Sequence, residues 1–462
     1  MITYEDIKNL STKWAVGEHI VEKNYVIGWV LWGIGQDPIL SNKWIFKGGT
    51  CIKKCYIETY RFSEDLDFTV LPDGPLKPDE VKPLVDKMLE RVHDESGINF
   101  SMQPSMFKQK DFPYYTEGRI YYQGPRKIPS PTLIKFDLLS SEKVIQPPVL
   151  KEIEHDYSDD LPKHARIRCY SLHEIFAEKI RAMGERGFPR DLYDIVFLFR
   201  EGCFRSDSKA ISSLLAEKCK AKGVTIPNME NIKSSPVQEE LKSEWANMLE
   251  HQLPTLPPFD EFWNELPNLF GWLEGTYAPK PLPEVMKYQS GEAIWVPSPT
   301  TWSWGQGVAL EPVRFAAINH LCVELGYKGS KRIIEPYSLR QTKDGNILLY
   351  AVKVDTREPR AYRVDRIESI KVTTRPFRPV YHIEFPPSGA ISAPPIERER
   401  SASSFISRRS KTASGPVYVY ECPVCGKTFK RKKNNSNLNK HKDKSGYDCY
   451  GRYGVYQGME YN

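Results

Sequence analysis

The chain has 462 residues, a formal net charge of +6, 40% hydrophobic and 27% charged residues, a composition typical of folded domains with room for roughly three of about 150 residues each. This excludes a wholly disordered, collagen-like or membrane-embedded protein. The longest mostly apolar stretch, Val26 to Gly35, is about half of the roughly 20 residues a spanning helix needs, and the opening Met-Ile-Thr-Tyr-Glu-Asp lacks a basic-then-apolar signal; the expectation is a cytoplasmic protein with no membrane partner.

The first informative run is Phe46-Lys47-Gly48-Gly49-Thr50. Adjacent glycines before a hydroxyl residue let backbone N–H groups approach phosphate oxygens, and a helix starting there adds its partial positive charge. The ordinary reading of Gly-Gly-Thr is a turn. Next comes Arg61-Phe62-Ser63-Glu64-Asp65-Leu66-Asp67-Phe68-Thr69-Val70, in which Leu66, Phe68 and Val70 alternate with Asp65, Asp67 and Thr69. A strand places the apolar set on one face and both carboxylates on the other. Like charges side by side repel unless a cation lies between them, and Mg²⁺ held by carboxylates and substrate phosphates meets that need.

In Leu133-Ile134-Lys135-Phe136-Asp137-Leu138-Leu139 the same alternation offers Asp137 as a third carboxylate from a neighbouring strand. Three aspartates can hold two metals about 3.5–4 Å apart for an in-line displacement, which points to nucleotidyl transfer. Further on, Leu172, Ile175, Phe176, Ile180 and Met183 have helical spacing, and Lys179 falls on their apolar stripe. Either its stem snorkels outward or the stripe borders a site where an anion meets the ammonium. Further helices are expected at 191–200, 207–220, 236–251 and 259–272. Asp191 and Asp194 share a face near a helix start, where they orient Lys179, Arg190 or a metal-bound water, or simply favour the helix N-terminus after Pro189.

Between about Ile20 and Phe199 the chain resembles the AbiEii/AbiGii family of nucleotidyltransferase-like abortive-infection toxins, in the DNA polymerase beta superfamily. The resemblance rests on Glu22-Lys23, the 46–50 and 61–68 runs, Lys135-Phe136-Asp137, Ala177-Glu178-Lys179-Ile180-Arg181, and Arg190-Asp191-Leu192-Tyr193-Asp194. It implies an α+β fold, a nucleotidyltransferase mixed sheet followed by helices, using an NTP and Mg²⁺. On that basis Asp65 and Asp67, completed by Asp137, bind Mg²⁺; Gly48, Gly49, Thr50, Ser63, Lys179 and Arg190 bind the NTP; and Lys179 and Asp191 complete the catalytic set. Asn24 departs from the pattern, where Asp is expected after Glu-Lys.

Two proline- or serine-rich stretches read as linkers. They divide the chain into residues 1–275, a linker at 276–302, a middle module at 303–385, a linker at 386–415 and a tail at 416–462. The middle module opens with an amphipathic stretch, Phe315, Ile318, Leu321, Cys322 and Leu325, followed by strand-like runs at Ile333 to Tyr337, Ile347 to Val352 and Arg363 to Ile367, with an Asp344-Gly345 hairpin turn. A small β-barrel-like fold is expected. Glu335-Pro336-Tyr337-Ser338-Leu339-Arg340, the Gly345 hairpin and Arg363-Val364-Asp365-Arg366-Ile367 resemble a WYL domain, although Leu348-Leu349-Tyr350 stands where Trp-Tyr-Leu is expected. Arg340, Arg363 and Arg366 either grip phosphate or form ion pairs such as one with Asp365.

Residues 401–462 carry a net charge of +8, leaving −2 on residues 1–400, so the excess positive charge lies in a tail suited to a polyanion, or merely to solubility. Of nine cysteines, Cys51, Cys55, Cys169, Cys203, Cys219 and Cys322 fit packing as small hydrophobes. Cys422, Cys425, His441 and Cys449 instead have the donor set of a closed Zn²⁺ site, with Phe429 and Leu438 as its small core and Lys430 to Lys433 for phosphate contact. The tail thus resembles a zinc finger.

Together these features favour an Mg²⁺-dependent transfer of NMP from an NTP to an acceptor. The resemblance makes the acceptor an RNA such as tRNA, the setting phage defence or a toxin–antitoxin pair, and the neutralising partner a DNA-binding antitoxin. The competing readings are a non-catalytic nucleic-acid sensor and an enzyme whose acceptor is a protein side chain.

Overall fold

A seven-stranded mixed sheet organises the N-terminal module in this computed structural model, its strands lying side by side in the order Met106–Gln109, Tyr115–Tyr122, Thr132–Leu139, Leu66–Val70, Trp44–Lys47, Arg166–Cys169 and Val149–Glu152. The structure describes residues 1–58, 60–110, 114–201, 204, 206–233, 237–280, 282–283, 310–342, 346–385, 391–392, 416–431, 433 and 435–461. Cys203, Asp344, Gly345, Lys432 and most of both expected linkers lie outside these. The described chain falls into two units, Met1–Ile396 and Glu397–Asn462.

The first unit begins with α1 (Tyr4–Trp14), α2 (Glu18–Gln36), α3 (Leu40–Lys43), β1 (Trp44–Lys47) and α4 (Gly48–Cys55). Helix α1 is started by a capping box, Thr3 with Asp6. Helix α2 is apolar on nearly every face and correspondingly buried from Ile20 to Ile34, apart from Lys23. Then come β2 (Leu66–Val70), α5 (Pro78–Ser96), β3 (Met106–Gln109), β4 (Tyr115–Tyr122), β5 (Thr132–Leu139), β6 (Val149–Glu152) and β7 (Arg166–Cys169). Ile134, Phe136 and Leu138 are fully buried, with intervening residues less so, as alternation on β5 requires. Strand β2 pairs parallel with β5 and antiparallel with β1, and β1 pairs parallel with β7.

A helical block follows: α6 (Leu172–Glu185), α7 (Pro189–Glu201), α8 (Ser208–Lys222), α9 (Met229–Lys233), α10 (Val237–Leu249), α11 (Phe259–Trp263) and α12 (Leu266–Glu274). The helix expected over 259–272 is therefore two. Pro267 has no N–H to bond back to the Trp263 carbonyl, so the first helix stops there and Pro267 serves the opening turn of the next.

In the middle module, α13 (Glu311–Ile318) leads into β8 (Leu321–Tyr327), β9 (Ser330–Gln341), β10 (Ile347–Lys353), β11 (Pro359–Arg363) and β12 (Ile367–Pro376). The sheet order is β11-β10-β9-β8-β12, and β13 (Ile391–Ser392) pairs with β9. The amphipathic stretch that opens the module divides: the helix ends at Ile318, His320 takes φ 56°, and Leu321, Cys322 and Leu325 lie in β8. In the run from Arg363 to Ile367 only the ends lie in strands, Arg363 in β11 and Ile367 in β12, while Val364–Arg366 form a tight turn between them. One hydrophobic core includes residues of both modules, among them Phe62, Phe197, Phe315 and Leu325.

The second unit contains β14 (Pro416–Glu421), β15 (Thr428–Arg431), β16 (His441–Lys442), β17 (Asp448–Cys449) and β18 (Val455–Tyr461), paired as β15-β14-β18 and β16-β17. Tyr420, Cys422, Leu438 and Cys449 form its buried cluster, with Phe429 against it. No helix of the described residues is long and apolar enough to cross a membrane.

Candidate active site

Asp67 lies at the meeting of three strands. Across β1 it pairs with Lys47, and across β5 it pairs in parallel register with Asp137. Parallel register puts both carboxylates on the same face of the sheet, an arrangement that two anions do not adopt without compensation. Asp65 precedes the strand, and its carbonyl accepts a hydrogen bond from the Thr50 hydroxyl. Tyr115 donates to Asp137 Oδ1 at 2.6 Å. All three aspartates remain partly accessible. Burial, and then the charge of Asp137, push Asp67 up to about 6, against the pull of Lys47 and Lys179.

Gly48 closes this edge. Its φ is +81°, a conformation L side chains rarely adopt, and a Cβ on it would overlap the Asp67 carboxylate. At Gly49 a Cβ would crowd Arg61 Nη2 at 2.9 Å and Ser63 Oγ at 3.0 Å. The first turn of α4 thus runs against the aspartates, with Gly48 partly accessible and Gly49 and Thr50 buried. Thr50 is buried and its hydroxyl is committed to Asp65, so it fastens the turn to the carboxylate loop.

Helices α6 and α7 supply the cationic side. Lys179 Nζ lies 2.8 Å from Asp194 Oδ2 and 4.0 Å from Asp191 Oδ1, and its side chain is 12% exposed. The apolar stripe therefore borders a charged site. Asp194 also takes Arg61 bidentately, at 2.7 and 2.9 Å, while Arg61 Nη1 donates to Gln252 Oε1 at 2.7 Å. Burial opposes ionisation of Asp194, but Arg61 and Lys179 outweigh it and hold the carboxyl well below the usual range. Asp191 takes Arg186 bidentately at 2.9 and 3.0 Å. Arg190, the second residue of α7, is half-buried and forms no ion pair among the described residues.

A second layer stands behind. Lys47 Nζ bonds Glu178 Oε1 at 2.8 Å, and Lys218 joins Glu178 at 3.2 Å to Glu174 at 2.7 Å. Burial disfavours the Lys47 ammonium, but Glu178 and Glu142 raise its pKa above the ordinary value. Sequence reading assigned no role to Lys47, Arg61, Glu178 or Arg186. The Lys at the end of an apolar strand was a signal for Lys47; Arg186 carried none. Helix α2 contributes through Lys23, 2.7 Å from Glu64, beside Asp65. Asn24 donates to the Tyr157 hydroxyl at 2.8 Å.

The family model for the nucleotidyl transferase AbiEii toxin of type IV toxin–antitoxin systems matches residues 29–265, just over half of the chain. The chain belongs to the AbiEii toxin family. It is a nucleotidyltransferase toxin by that membership. A WYL domain matches residues 308–372. Among solved structures the chain is similar to MenT4, a nucleotidyltransferase toxin from Mycobacterium tuberculosis H37Rv, with TM-score 0.42 and 17% identity over 59% of this chain and 90% of that one. No curated protein matches the chain.

Beyond the AbiEii core, the arginines of the WYL domain are engaged within the fold. Arg340 pairs with Glu384, and Arg363 holds Asp365 at 2.6 and 3.0 Å. In the second unit, one donor atom each from Cys422, Cys425, His441 and Cys449 lies within 4.8 Å of the others. Cys422 Sγ is 3.7 Å from Cys449 Sγ, and Cys425 Sγ is 3.3 Å from His441 Nε2. The other ring nitrogen, Nδ1, lies 2.9 Å from the Asn439 carbonyl, so a proton on Nδ1 leaves Nε2 free as a ligand.

Proposed function

We propose that this AbiEii toxin transfers NMP from an NTP to an RNA acceptor, tRNA foremost, with release of pyrophosphate, using Mg²⁺ held by Asp65, Asp67 and Asp137. The observation that carries this reading is the side-by-side placement of Asp67 and Asp137 on β2 and β5 beneath the Gly48 turn. Divalent cations, when bound, activate the acceptor oxygen and offset charge on the leaving pyrophosphate. The N–H groups of the Gly48-Gly49-Thr50 turn bind the triphosphate, with Ser63 beside Gly49 and Arg190 supplying further donors. Thr50 contributes through its backbone, because its hydroxyl is engaged by Asp65. Lys179 balances phosphate charge as the α-phosphoryl group passes to the acceptor hydroxyl, and Asp191 positions it together with Asp194.

In the same reading residues 1–275 form the transferase module, with WYL and zinc-finger modules at 303–385 and 416–462 that recruit or sense nucleic acid. The three sulfurs and one imidazole of the tail are the donor set of a closed Zn²⁺ site. The biological setting is phage defence or a toxin–antitoxin pair, with a DNA-binding antitoxin as neutralising partner.

Labelled NTPs incubated with the purified chain, total RNA and Mg²⁺ test the proposal. Label is expected in RNA and absent with Asp67→Ala. Label in the protein instead would identify a protein acceptor, and no transfer with any NTP or divalent cation would leave a non-catalytic sensor.

A further inference from the structure

Three thiols that the sequence assigns to packing converge on one point. Cys51 and Cys55 lie one turn apart on α4, and Cys169 ends β7 opposite Phe46 of β1. Their Sγ atoms all lie within 4.8 Å of one another. Cys51 and Cys169 are fully buried and Cys55 is 6% exposed. Packing as small hydrophobes does not require three soft donors to face a common centre. Three sulfurs around one ion at about 2.3 Å are separated by about 4 Å when trigonal, which this cluster accommodates. Among the described residues no histidine or carboxylate joins it.

We propose that Cys51, Cys55 and Cys169 form a second metal site, for a thiophilic closed-shell cation, Cu(I) or Zn(II). Thiolates in a dry pocket select such ions over Mg²⁺. Each ligating thiol releases its proton as the metal binds. Tyr56 Oη, 3.6 Å from Cys169 Sγ, gives its proton to the Tyr170 carbonyl, so compensation of the resulting negative charge falls to the metal and to Lys151, whose Nζ lies 4.8 Å over the Tyr56 ring. Three-coordination suits Cu(I); zinc would require a water as fourth ligand. An occupied site ties α4, which begins with the Gly48-Gly49-Thr50 turn, to the strand flanking β1. The inference does not depend on what the aspartate site transfers.

The test uses the full chain carrying Cys422→Ser and Cys425→Ser, so that metal in the finger does not obscure the count. Separate samples are loaded with Zn(II) or, anaerobically, with Cu(I), then passed over a weak chelator and analysed for metal. About one equivalent of one of the two ions is expected to remain, and the ion retained identifies the natural class. Cys51→Ala and Cys169→Ala, each placed in the same background, are expected to lose that equivalent, whereas Cys219→Ala, at a buried cysteine elsewhere, keeps it. Alanine preserves the apolar character of both sites, and circular dichroism verifies folding; Cys55→Ala serves if either variant fails to fold. No retained metal of either kind, unchanged content in the cluster variants, or a disulfide among the three found by alkylation under denaturing conditions would each overturn the proposal.

Discussion

Asp67 stands beside Asp137 in the parallel pairing of β2 and β5, with Lys47 opposite it on β1. Burial and the neighbouring anion raise Asp67 to about 6, so in the metal-free protein the ionised pair is a source of instability. Asp67→Asn removes one charge at nearly constant shape. Transfer activity is expected to fall by at least about 100-fold if the carboxylate binds metal, while metal-free stability at pH 8 rises by about 1–3 kcal/mol. Denaturant unfolding in EDTA, run beside the transfer assay, checks both. A loss of stability together with activity would assign Asp67 a structural role instead.

The same group sets a pH dependence. A carboxyl whose pKa is raised on folding favours the folded state fully below its ordinary value near 3.8, and that contribution is lost as pH climbs through about 6. Cation binding runs the other way, because metal competes with the proton. The apparent Mg²⁺ affinity is expected to weaken by up to about tenfold per pH unit below pH 6 and to level off above about pH 7. Titrations of Mg²⁺ dependence at several pH values measure this. An affinity that is flat across the range would exclude Asp67 as a ligand.

Much of this site is legible in local sequence, because alternation on a strand is a local property. Asp67 and Asp137 each carry their own apolar pattern, and the Gly-Gly turn marks itself. The partners of the charged groups are not local. Arg61 meets Asp194 across 133 residues of chain, and Lys47 meets Glu178 across 131; pairing at such separation depends on how α6 and α7 fold back on the sheet, which periodicity does not encode. The same limit applies to the convergence of Cys51, Cys55 and Cys169. Within the middle module, helical spacing extended past Ile318 because residues at intervals of 3 and 4 also fit a short helix joined to a strand, and only the left-handed turn at His320 separates them.

Asp194 is the hub of the cationic side. It is fully buried and shared by Arg61 and Lys179. Asp194→Ala leaves both cations in a low-dielectric site without their partner, and the expected cost is about 3–5 kcal/mol of folding stability. Arg166→Gln is the contrast, since Arg166 and its partner Glu152 are 44% and 75% exposed; its cost is expected at about 1 kcal/mol or less. Thermal unfolding of the two variants orders them. Equal destabilisation would show that exposure does not govern these pairs.

Metal removal distinguishes the second unit from the first. Its buried cluster consists of Tyr420, Cys422, Leu438 and Cys449, too small a core to hold a segment of this length without a metal. A chelator strong enough to strip zinc is expected to disorder residues 416–461 while the first unit, with its large apolar core, stays folded. Hydrogen exchange of the two segments, with and without chelator, reads this directly. Protection that persists in the tail after verified metal loss would mean that the tail folds without zinc.

Gly48 offers a test of how closely the turn and the carboxylates are coupled. Its φ of +81° penalises any side chain, and the space a Cβ would take belongs to the Asp67 carboxylate. Gly48→Ala therefore forces either the turn or the aspartate to move, at an expected cost of about 1–3 kcal/mol. Because either movement changes the spacing between the turn and Asp67, metal dependence is expected to shift to higher Mg²⁺ along with KM for the NTP. Gly49→Ala meets Arg61 and Ser63 instead, so its effect is expected on KM with the Mg²⁺ requirement unchanged. Steady-state kinetics of both variants over a range of Mg²⁺ separates the two glycines; identical profiles would mean that the turn acts as one rigid piece.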